Sequence, residues 1–373
     1  MKVLILSCNT GSGHNACAAA VQEALVARGV ACNIRDGLAF VSRPVSRLIS
    51  AAHVRLYRSM PRLYGRGYSL AERRSAAGGD GGDSLSFRFF SLGARPLRAC
   101  IASEGYTHVV STHLFPAMML TAMQRRDPLP IHTAFISTDY TASPGYEAIA
   151  VDRCIAPAPE LIPDFTKPGV PASHVLGCGI PVSRAFQTAM DKSAARRALG
   201  LDADCRHILI MSGSMGCGPL ERVLARLNER LGTGIEISII CGTNRGLHRR
   251  LLRRYGAQKN CHIHDFVDQI SLYMDSADLY LTKPGGLSVS EALSKKLPML
   301  FLQAVEGCET YNMRYGLNRG AAVTADGADA VADLCARLIC DDAALKKMRD
   351  SMAGLFEVPA AEVVCVCLFS MGE

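Results

Sequence analysis

The feature that most constrains this chain is an alternation, kept up from end to end, of short apolar runs with stretches of helical periodicity. Runs rich in Val, Ile and Leu, each followed by apolar residues three and four apart, specify parallel sheets with helices on both faces. In the first half the runs fall at 3–7, 30–34, 108–112, 133–137, 154–157 and 175–177. In the second half they fall at 207–211, 235–241, 262–266, 279–282 and 298–302. A chain of 373 residues exceeds one ordinary core, so the two series predict two Rossmann-like α/β domains in tandem. The first series closes at Ile180-Pro181-Val182, and the polar stretch 183–204 reads as a linker with one helix. The expected division is an N-terminal domain over 1–185 and a C-terminal domain over 186–358. After the Pro359 break, 359–373 is a candidate helix packing back on the first domain.

Composition excludes several classes. No apolar run reaches the ~20 residues a membrane-spanning helix needs. Met1-Lys2-Val3-Leu4-Ile5-Leu6-Ser7 runs into a glycine turn with no processing site, so it reads as a first strand, not a signal peptide. The fifteen cysteines include no Cys-x-x-Cys and only one close pair, Cys365 and Cys367, which indicates neither a zinc site nor a disulfide framework. A reducing cytoplasm is the default expectation.

Three glycine-rich turns follow strands. Thr10-Gly11-Ser12-Gly13-His14 leads into a helix on which Cys17, Ala20, Val21, Ala24 and Leu25 recur at helical spacing. Such a turn sits at the carboxyl edge of a parallel sheet, where ligands of open α/β folds bind. A plain turn with His14 at a helix cap fits the same residues. In the second half, Ser212-Gly213-Ser214-Met215-Gly216-Cys217-Gly218 offers backbone amides to phosphate oxygens, with Pro219 expected at a first helical position. Lys283-Pro284-Gly285-Gly286 then opens a helix carrying Ser288, Ser290 and Glu291. A Gly-Gly at a helix start presents free amides and the positive dipole end to an anion, and Glu291 can accept two ribose hydroxyls.

The run from Thr282 to Leu293, followed by Leu297-Pro298-Met299, closely resembles the donor-site motif of the diacylglycerol glycosyltransferases. That family, part of glycosyltransferase family 28, includes monogalactosyldiacylglycerol synthases and is related to the peptidoglycan lipid II N-acetylglucosaminyltransferase. In the first half the resemblance rests on Gly11-Ser12-Gly13-His14, on Ser137-Thr138-Asp139-Tyr140 and on Gly177-Cys178-Gly179-Ile180-Pro181-Val182. It implies the GT-B architecture, two Rossmann-like domains facing across a cleft. It also implies an inverting, metal-independent transfer of glucose or galactose from a UDP-sugar to diacylglycerol, with no cofactor.

The resemblance assigns Phe266 and Val267 to the uracil ring, and Gly213, Ser214, Met215 and Gly216 with Pro284, Gly285, Gly286 and Ser288 to the diphosphate. It assigns Glu291 to the ribose, and Glu309 and Asn312 to the sugar. His14 aligns with the catalytic histidine, Asp139 with the aspartate of the Thr-Asp pair, and Gly11, Ser12 and Gly13 with the acceptor-side loop. A neutral imidazole suits removal of a proton from an alcohol.

The chain departs from the family at Glu306-Gly307-Cys308-Glu309, where relatives commonly carry Pro-Gly-Gln-Glu; Cys308 stands for the glutamine, which opens the identity of the sugar. Asp202-Ala203-Asp204 imitates a metal-binding Asp-x-Asp, but it precedes its strand, so no metal site is expected there. Net charge is +7, and Arg43, Arg47, Arg55, Arg58, Arg62, Arg66, Arg73 and Arg74 are opposed only by Glu72. Leu48, Ile49, Leu56, Tyr57, Leu63, Tyr64 and Tyr68 are interleaved, and the glycine patch 76–83 follows as a flexible loop. Arg55, Arg58, Arg62 and Arg66 are the expected contacts to an anionic membrane, which places the protein peripherally on the inner face of the cell membrane. A solvated basic helix pair with its apolar residues turned inward fits the same pattern. Nothing suggests recognition of nucleic acid. Two other functions stay open, transfer of N-acetylglucosamine to another lipid-linked acceptor and non-catalytic binding of a UDP-sugar.

Overall fold

The computed structural model describes residues 1–76, 84–167 and 170–372. Most of the glycine patch, 77–83, lies outside the described residues, as does the side chain of Arg58. The chain divides into two compact units: Met1–Arg184 with Val305–Tyr311 and Phe356–Glu373, and Ala185–Ala304 with Asn312–Leu355.

The first unit is a six-stranded sheet of β1 (Lys2–Ser7), β2 (Ala31–Asp36), β3 (His108–Ser111), β4 (His132–Ile136), β5 (Arg153–Ala156) and β6 (Val175–Gly177). All pairs are parallel, in the order β2-β1-β3-β4-β5-β6. Central β1 is covered on both faces, so Val3, Leu4, Ile5 and Leu6 form one unbroken buried run; edge strand β2 is buried nowhere along its length. Its helices are α1 (Ser12–Val26), α2 (Arg43–Ser59), α3 (Pro61–Ala76), α4 (Leu85–Phe90), α5 (Ala94–Glu104), α6 (Leu114–Arg126) and α7 (Ile162–Phe165). Cys17, Ala18, Ala20, Val21, Ala24 and Leu25 put the small apolar face of α1 into the core.

The second unit repeats the plan with β7 (Arg206–Met211), β8 (Ile235–Ile240), β9 (Cys261–His264), β10 (Leu279–Thr282), β11 (Met299–Phe301) and β12 (Ala322–Thr324). These strands are parallel in the order β12-β11-β10-β7-β8-β9. The three-residue β12 has no counterpart among the apolar runs, because Ala322-Val323-Thr324 is too short to show a period. The helices are α8 (Lys192–Ala198), α9 (Leu220–Arg230), α10 (Arg245–Tyr255), α11 (Ile270–Ser276), α12 (Gly286–Ser294), α13 (Cys308–Asn318, whose first four residues fall in the first unit), α14 (Gly327–Leu338) and α15 (Asp342–Ser351).

The stretch read as a linker is anchored in the second unit. Arg196 and Lys192 of α8 reach Asp278 at 2.5 and 2.7 Å, and Asp278 also accepts from the His207 amide at 2.9 Å. A carboxylate this buried is held ionised by its two cations, and its removal would strand Arg196 in the interior. The final helix, α16 (Ala360–Ser370), lies in the first unit, where Glu362 pairs with Arg28 at the end of α1.

Candidate functional site

In each sheet the strand order reverses at one point, and there a crevice opens at the carboxyl ends of the strands. In the first unit the reversal lies between β1 and β3, so the loop after β1 and the loop after β3 emerge side by side. The first carries His14 in the opening turn of α1, and the second carries Thr112 and His113.

His14 Nδ1 lies 2.9 Å from the Thr112 carbonyl oxygen and 2.9 Å from Thr138 Oγ1. A carbonyl only accepts, so Nδ1 carries the proton in the neutral ring, Thr138 shares it as an acceptor, and Nε2 holds the lone pair. The side chain is half-buried, and loss of water around the ring pushes its pKa down to about 4, with the Thr112 carbonyl opposing and His53 adding to the shift. His113 packs edge-on against it at 4.4 Å between centroids, and burial beside His14 and His53 holds His113 well below the usual range. His113 Nδ1 accepts from the Phe115 amide at 3.1 Å, which caps α6.

Asp139 is half-buried on the loop after β4, and its own carbonyl accepts from Ser137 at 2.9 Å. Ser12 is exposed, and Gly11 and Gly13 are half-buried around it. A cavity of about 590 Å³ lies beside this loop, lined by Asn9 and by Ser50, Ala51, Val54, Arg55 and Ser59 of α2.

The α2–α3 hairpin divides by face. Arg43, Arg47, Arg55, Arg62, Arg66, Arg73 and Arg74 are exposed together with Leu48 (69%), Leu63 and Leu70. Tyr57 is buried and Tyr64 half-buried, so the aromatic residues turn inward while these leucines face out.

In the second unit the reversal lies between β7 and β10, and it brings together the 212–218 loop and Lys283-Pro284-Gly285-Gly286. The first loop is locked by its neighbour after β8: the Thr243 amide donates to the Ser214 carbonyl at 2.8 Å and Asn244 Nδ2 to the Gly216 carbonyl at 2.9 Å. Gly216 has φ +54, and a Cβ there would sit 2.1 Å from the Cys241 carbonyl oxygen. Met215 is half-buried on this loop, and Pro219 caps α9 from just outside its first turn.

Gly285 is the N-cap of α12 and supplies no side-chain cap, so the amides of Gly286, Leu287 and Ser288 point along the helix dipole toward the loop edge. Lys283 runs across Gly213, whose Cβ would lie 2.8 Å from Lys283 Cε, which puts a cation's stem against the phosphate-type loop. Lys283 was not among the expected ligands, although its place beside Pro284-Gly285-Gly286 signals it. Glu291 is half-buried on α12, and burial pushes its carboxyl up to about 8. Phe266 is exposed and Val267 half-buried after β9, at the end of the same edge. Asn312 is fully buried in α13.

Glu309, expected in the second domain, belongs to the first unit. Its carboxylate is buried and accepts from the Tyr57 hydroxyl and from the Val305 amide, the latter at 3.0 Å. Asp202 and Asp204 are exposed at the amino end of β7. Among the described residues no group of three His, Cys, Asp or Glu side chains is placed to hold a metal ion.

Two Rossmann-like units, each with glycine loops at its reversal point, define the GT-B class. Solved structures similar over nearly the whole chain agree on the fold. Acinetobacter baumannii MurG has a TM-score of 0.61 at 14% identity, covering 99% of both chains. Spinosyn rhamnosyltransferase SpnG has 0.64 at 17%, covering 99% of this chain and 100% of that one. Residues 14–182 match the monogalactosyldiacylglycerol (MGDG) synthase family, and residues 207–330 match the glycosyltransferase family 28 C-terminal domain. The first half of the chain thus carries the MGDG synthase domain and the second half the glycosyltransferase family 28 C-terminal domain.

Similar curated proteins are processive diacylglycerol β-glucosyltransferases. The one from Staphylococcus carnosus is 29% identical over 65% of this chain, and that from Bacillus cytotoxicus is 24% identical over 98% of it. The chain spans 62% of the length of the former and 93% of the latter. No helix among the described residues is long and apolar enough to cross a membrane.

Proposed function

We propose that this protein transfers a hexose, with inversion, from a UDP-sugar to the primary hydroxyl of diacylglycerol. The observation that carries the reading is the contact of His14 Nδ1 with the Thr112 carbonyl oxygen, which leaves the lone pair of a neutral imidazole on Nε2 at the reversal point of the first sheet. Its low pKa keeps it unprotonated at neutral pH, ready to receive a proton. Nε2 takes the hydroxyl proton as the acceptor oxygen attacks the anomeric carbon. The bond from that carbon to the diphosphate oxygen breaks, and its electron pair leaves with UDP. Asp139 assists by orienting the base or the acceptor.

The second unit holds the donor in this reading. Phe266 and Val267 hold the uracil ring, Glu291 accepts the ribose hydroxyls, and the 213–216 loop, Pro284, Gly285, Gly286 and Ser288 cradle the diphosphate. Lys283 and the dipole of α12 offset the leaving charge, so the reaction needs no metal or cofactor. Glu309 and Asn312 read the sugar hydroxyls. The names of the similar curated proteins favour glucose.

The exposed arginines and leucines of α2 and α3 are the surface that meets the acceptor's bilayer, on the inner face of the cell membrane. The cavity lined by Asn9 and Arg55 then receives the glycerol end of the lipid.

The test is incubation of the protein with diacylglycerol vesicles and, separately, labelled UDP-glucose, UDP-galactose and UDP-N-acetylglucosamine. A glucosylated diacylglycerol from UDP-glucose is expected. UDP-sugar binding without a lipid product would leave a non-catalytic binding protein.

A further inference from the structure

His14 and His113 stand on the loops that follow β1 and β3, and Thr112 ties these loops together. Its amide donates to the Leu6 carbonyl at 3.0 Å and its Oγ1 to the His14 carbonyl at 3.1 Å. The two imidazoles meet edge to face, with centroids 4.4 Å apart and planes at 68°. His113 is held by the bond from the Phe115 amide to its Nδ1 and by the Phe115 ring at 4.4 Å, itself stacked on buried Phe90 at 4.0 Å.

The two rings carry their protons on opposite nitrogens. His14 Nδ1 faces a carbonyl, which only accepts, so its Nε2 is a bare acceptor. His113 Nδ1 accepts from an amide, so in the neutral ring its proton sits on Nε2. Burial keeps both rings neutral at pH 7. Both are half-buried, and neither Nε2 has a hydrogen-bond partner among the described residues. The first unit thus offers an acceptor and a donor side by side, close enough to meet the polar end of one small molecule. Capping α6 uses only Nδ1 of His113, a task that asparagine performs as well. The Nε2 donor is surplus to it.

We propose that His113 is a second acceptor-binding residue, donating from Nε2 to an ester carbonyl of diacylglycerol while His14 takes the proton of the neighbouring hydroxyl. This rests on the reading of His14 as the base. The glycerol end of diacylglycerol has two kinds of oxygen that accept well, the hydroxyl and the ester carbonyls. A donor on the hydroxyl oxygen would draw off the electron pair that attacks the anomeric carbon, so the carbonyl is the partner that assists. The glycerol chain keeps that carbonyl within a few bonds of the hydroxyl, and holding one orients the other toward His14. His113 keeps its own proton throughout.

The test pairs two substitutions with two lipids, diacylglycerol and ether-linked dialkylglycerol, which has the hydroxyl but no carbonyl. His113→Asn keeps an acceptor for the Phe115 amide and has no group at the place of Nε2, whereas His113→Gln carries an N–H with about the reach of Nε2 and caps poorly. With UDP-glucose, wild type is expected to prefer diacylglycerol on the order of tenfold in kcat/KM. His113→Asn is expected to melt in urea like wild type and to lose about that factor toward diacylglycerol, through KM for the lipid and not for UDP-glucose. It should tell the two lipids apart by less than about twofold. His113→Gln is expected to melt earlier and still regain part of the preference. A role in capping alone predicts the reverse order, with Asn active and Gln impaired.

His113→Asn as active as wild type, an undiminished lipid preference in it, or a Gln variant less selective than Asn would each overturn the proposal. His14→Ala separates it from the reading beneath it. If His14→Ala is impaired while His113→Asn behaves as wild type, the base stands and only the second ligand is lost. If His14→Ala is as active as wild type, or wild type makes no lipid product, the base reading fails and the proposal with it.

Discussion

The imidazole Nδ1 of His14 and the carbonyl oxygen of Thr112 lie 2.9 Å apart, and that one contact decides which nitrogen can work as a base. With the proton held on Nδ1, the reactive lone pair sits on Nε2. His14→Ala is expected to lower turnover by ~10²–10⁴ and to leave UDP affinity nearly intact, because a general base acts in the transition state. Steady-state rates with calorimetry of UDP binding check it, and an equally active variant would remove His14 from the mechanism.

The pKa of about 4 for His14 sets a pH dependence. At saturating donor, turnover should stay level from pH 8 down to about 5 and fall only as the imidazole takes up a proton. Stability behaves differently. For a histidine depressed in the folded state, the unfolded chain binds the proton first, so stability is fully present above about 6.5 and is lost as pH falls toward the folded value. His14, His113 and, in the second unit, buried His207 all have this sign. Urea melts at pH 7.5, 6 and 5 should show stability falling before activity does.

Glu291 has the opposite sign. Burial pushes its carboxyl up to about 8, so below that pH the empty site holds a proton that must leave if a carboxylate is to accept ribose hydroxyls. UDP affinity should rise with pH up to about 8 and level off above it. Glu291→Gln should remove this component, which separates it from titration of the phosphate. At pH 8.5, Glu291→Ala should cost at least one hydrogen bond to a charged acceptor, about 1.5–3 kcal/mol, or tenfold or more in affinity. Calorimetry across the pH range reads both, and a pH-independent wild type would break the assignment.

The two sheets were legible because their signal is local: β1 and β7 are unbroken apolar runs ending in glycine turns. β12 was not, since it has only three residues and its pairing with β11 is long-range. The first-unit site was legible in part. His14 stands in its glycine turn, whereas the roles of Thr112 and Thr138 on its ring depend on β1, β3 and β4 being neighbours. No periodicity ties Tyr57 to Glu309, and a boundary drawn from composition put that carboxylate in the other domain. In α2 and α3 the residue types announced a basic, partly apolar surface, but which rings turn inward is decided by packing against Gly307 and Glu309.

Gly216 gives a test of the phosphate-type loop. At φ +54 an L side chain is strained, and its Cβ would collide with the Cys241 carbonyl, whose residue directly follows β8 and is held by its amide bond to the His264 carbonyl. Gly216→Ala is expected to lose UDP affinity by more than tenfold and to destabilise the second unit by ~1–3 kcal/mol. Gly234→Ala, where nothing lies within 4 Å of the new Cβ, is the control. Equal UDP affinity in the two variants would mean the loop does not hold the diphosphate.

The last prediction concerns the outer face of the hairpin. Arg47, Arg55, Arg62 and Arg66 are exposed on α2 and α3, and Leu48, Leu63 and Leu70 are exposed among them. A solvated basic helix pair would have no need to leave leucines in water, and apolar side chains ringed by cations suit the boundary between acyl chains and anionic headgroups. Each arginine near an anionic leaflet contributes about 1 kcal/mol, so four of them can shift a binding constant by two orders of magnitude or more. That attraction is screened over about 10 Å at 0.1 M salt, so attachment should weaken as salt rises. Replacing Arg47, Arg55, Arg62 and Arg66 by Ser should reduce co-sedimentation with anionic vesicles and activity toward diacylglycerol in them, and leave calorimetric UDP affinity unchanged. Replacing Leu48 and Leu63 by Ser should reduce co-sedimentation even at high salt, where the arginines no longer act. A four-arginine variant that sediments like wild type at low and moderate salt would show that this face of the hairpin does not meet the membrane.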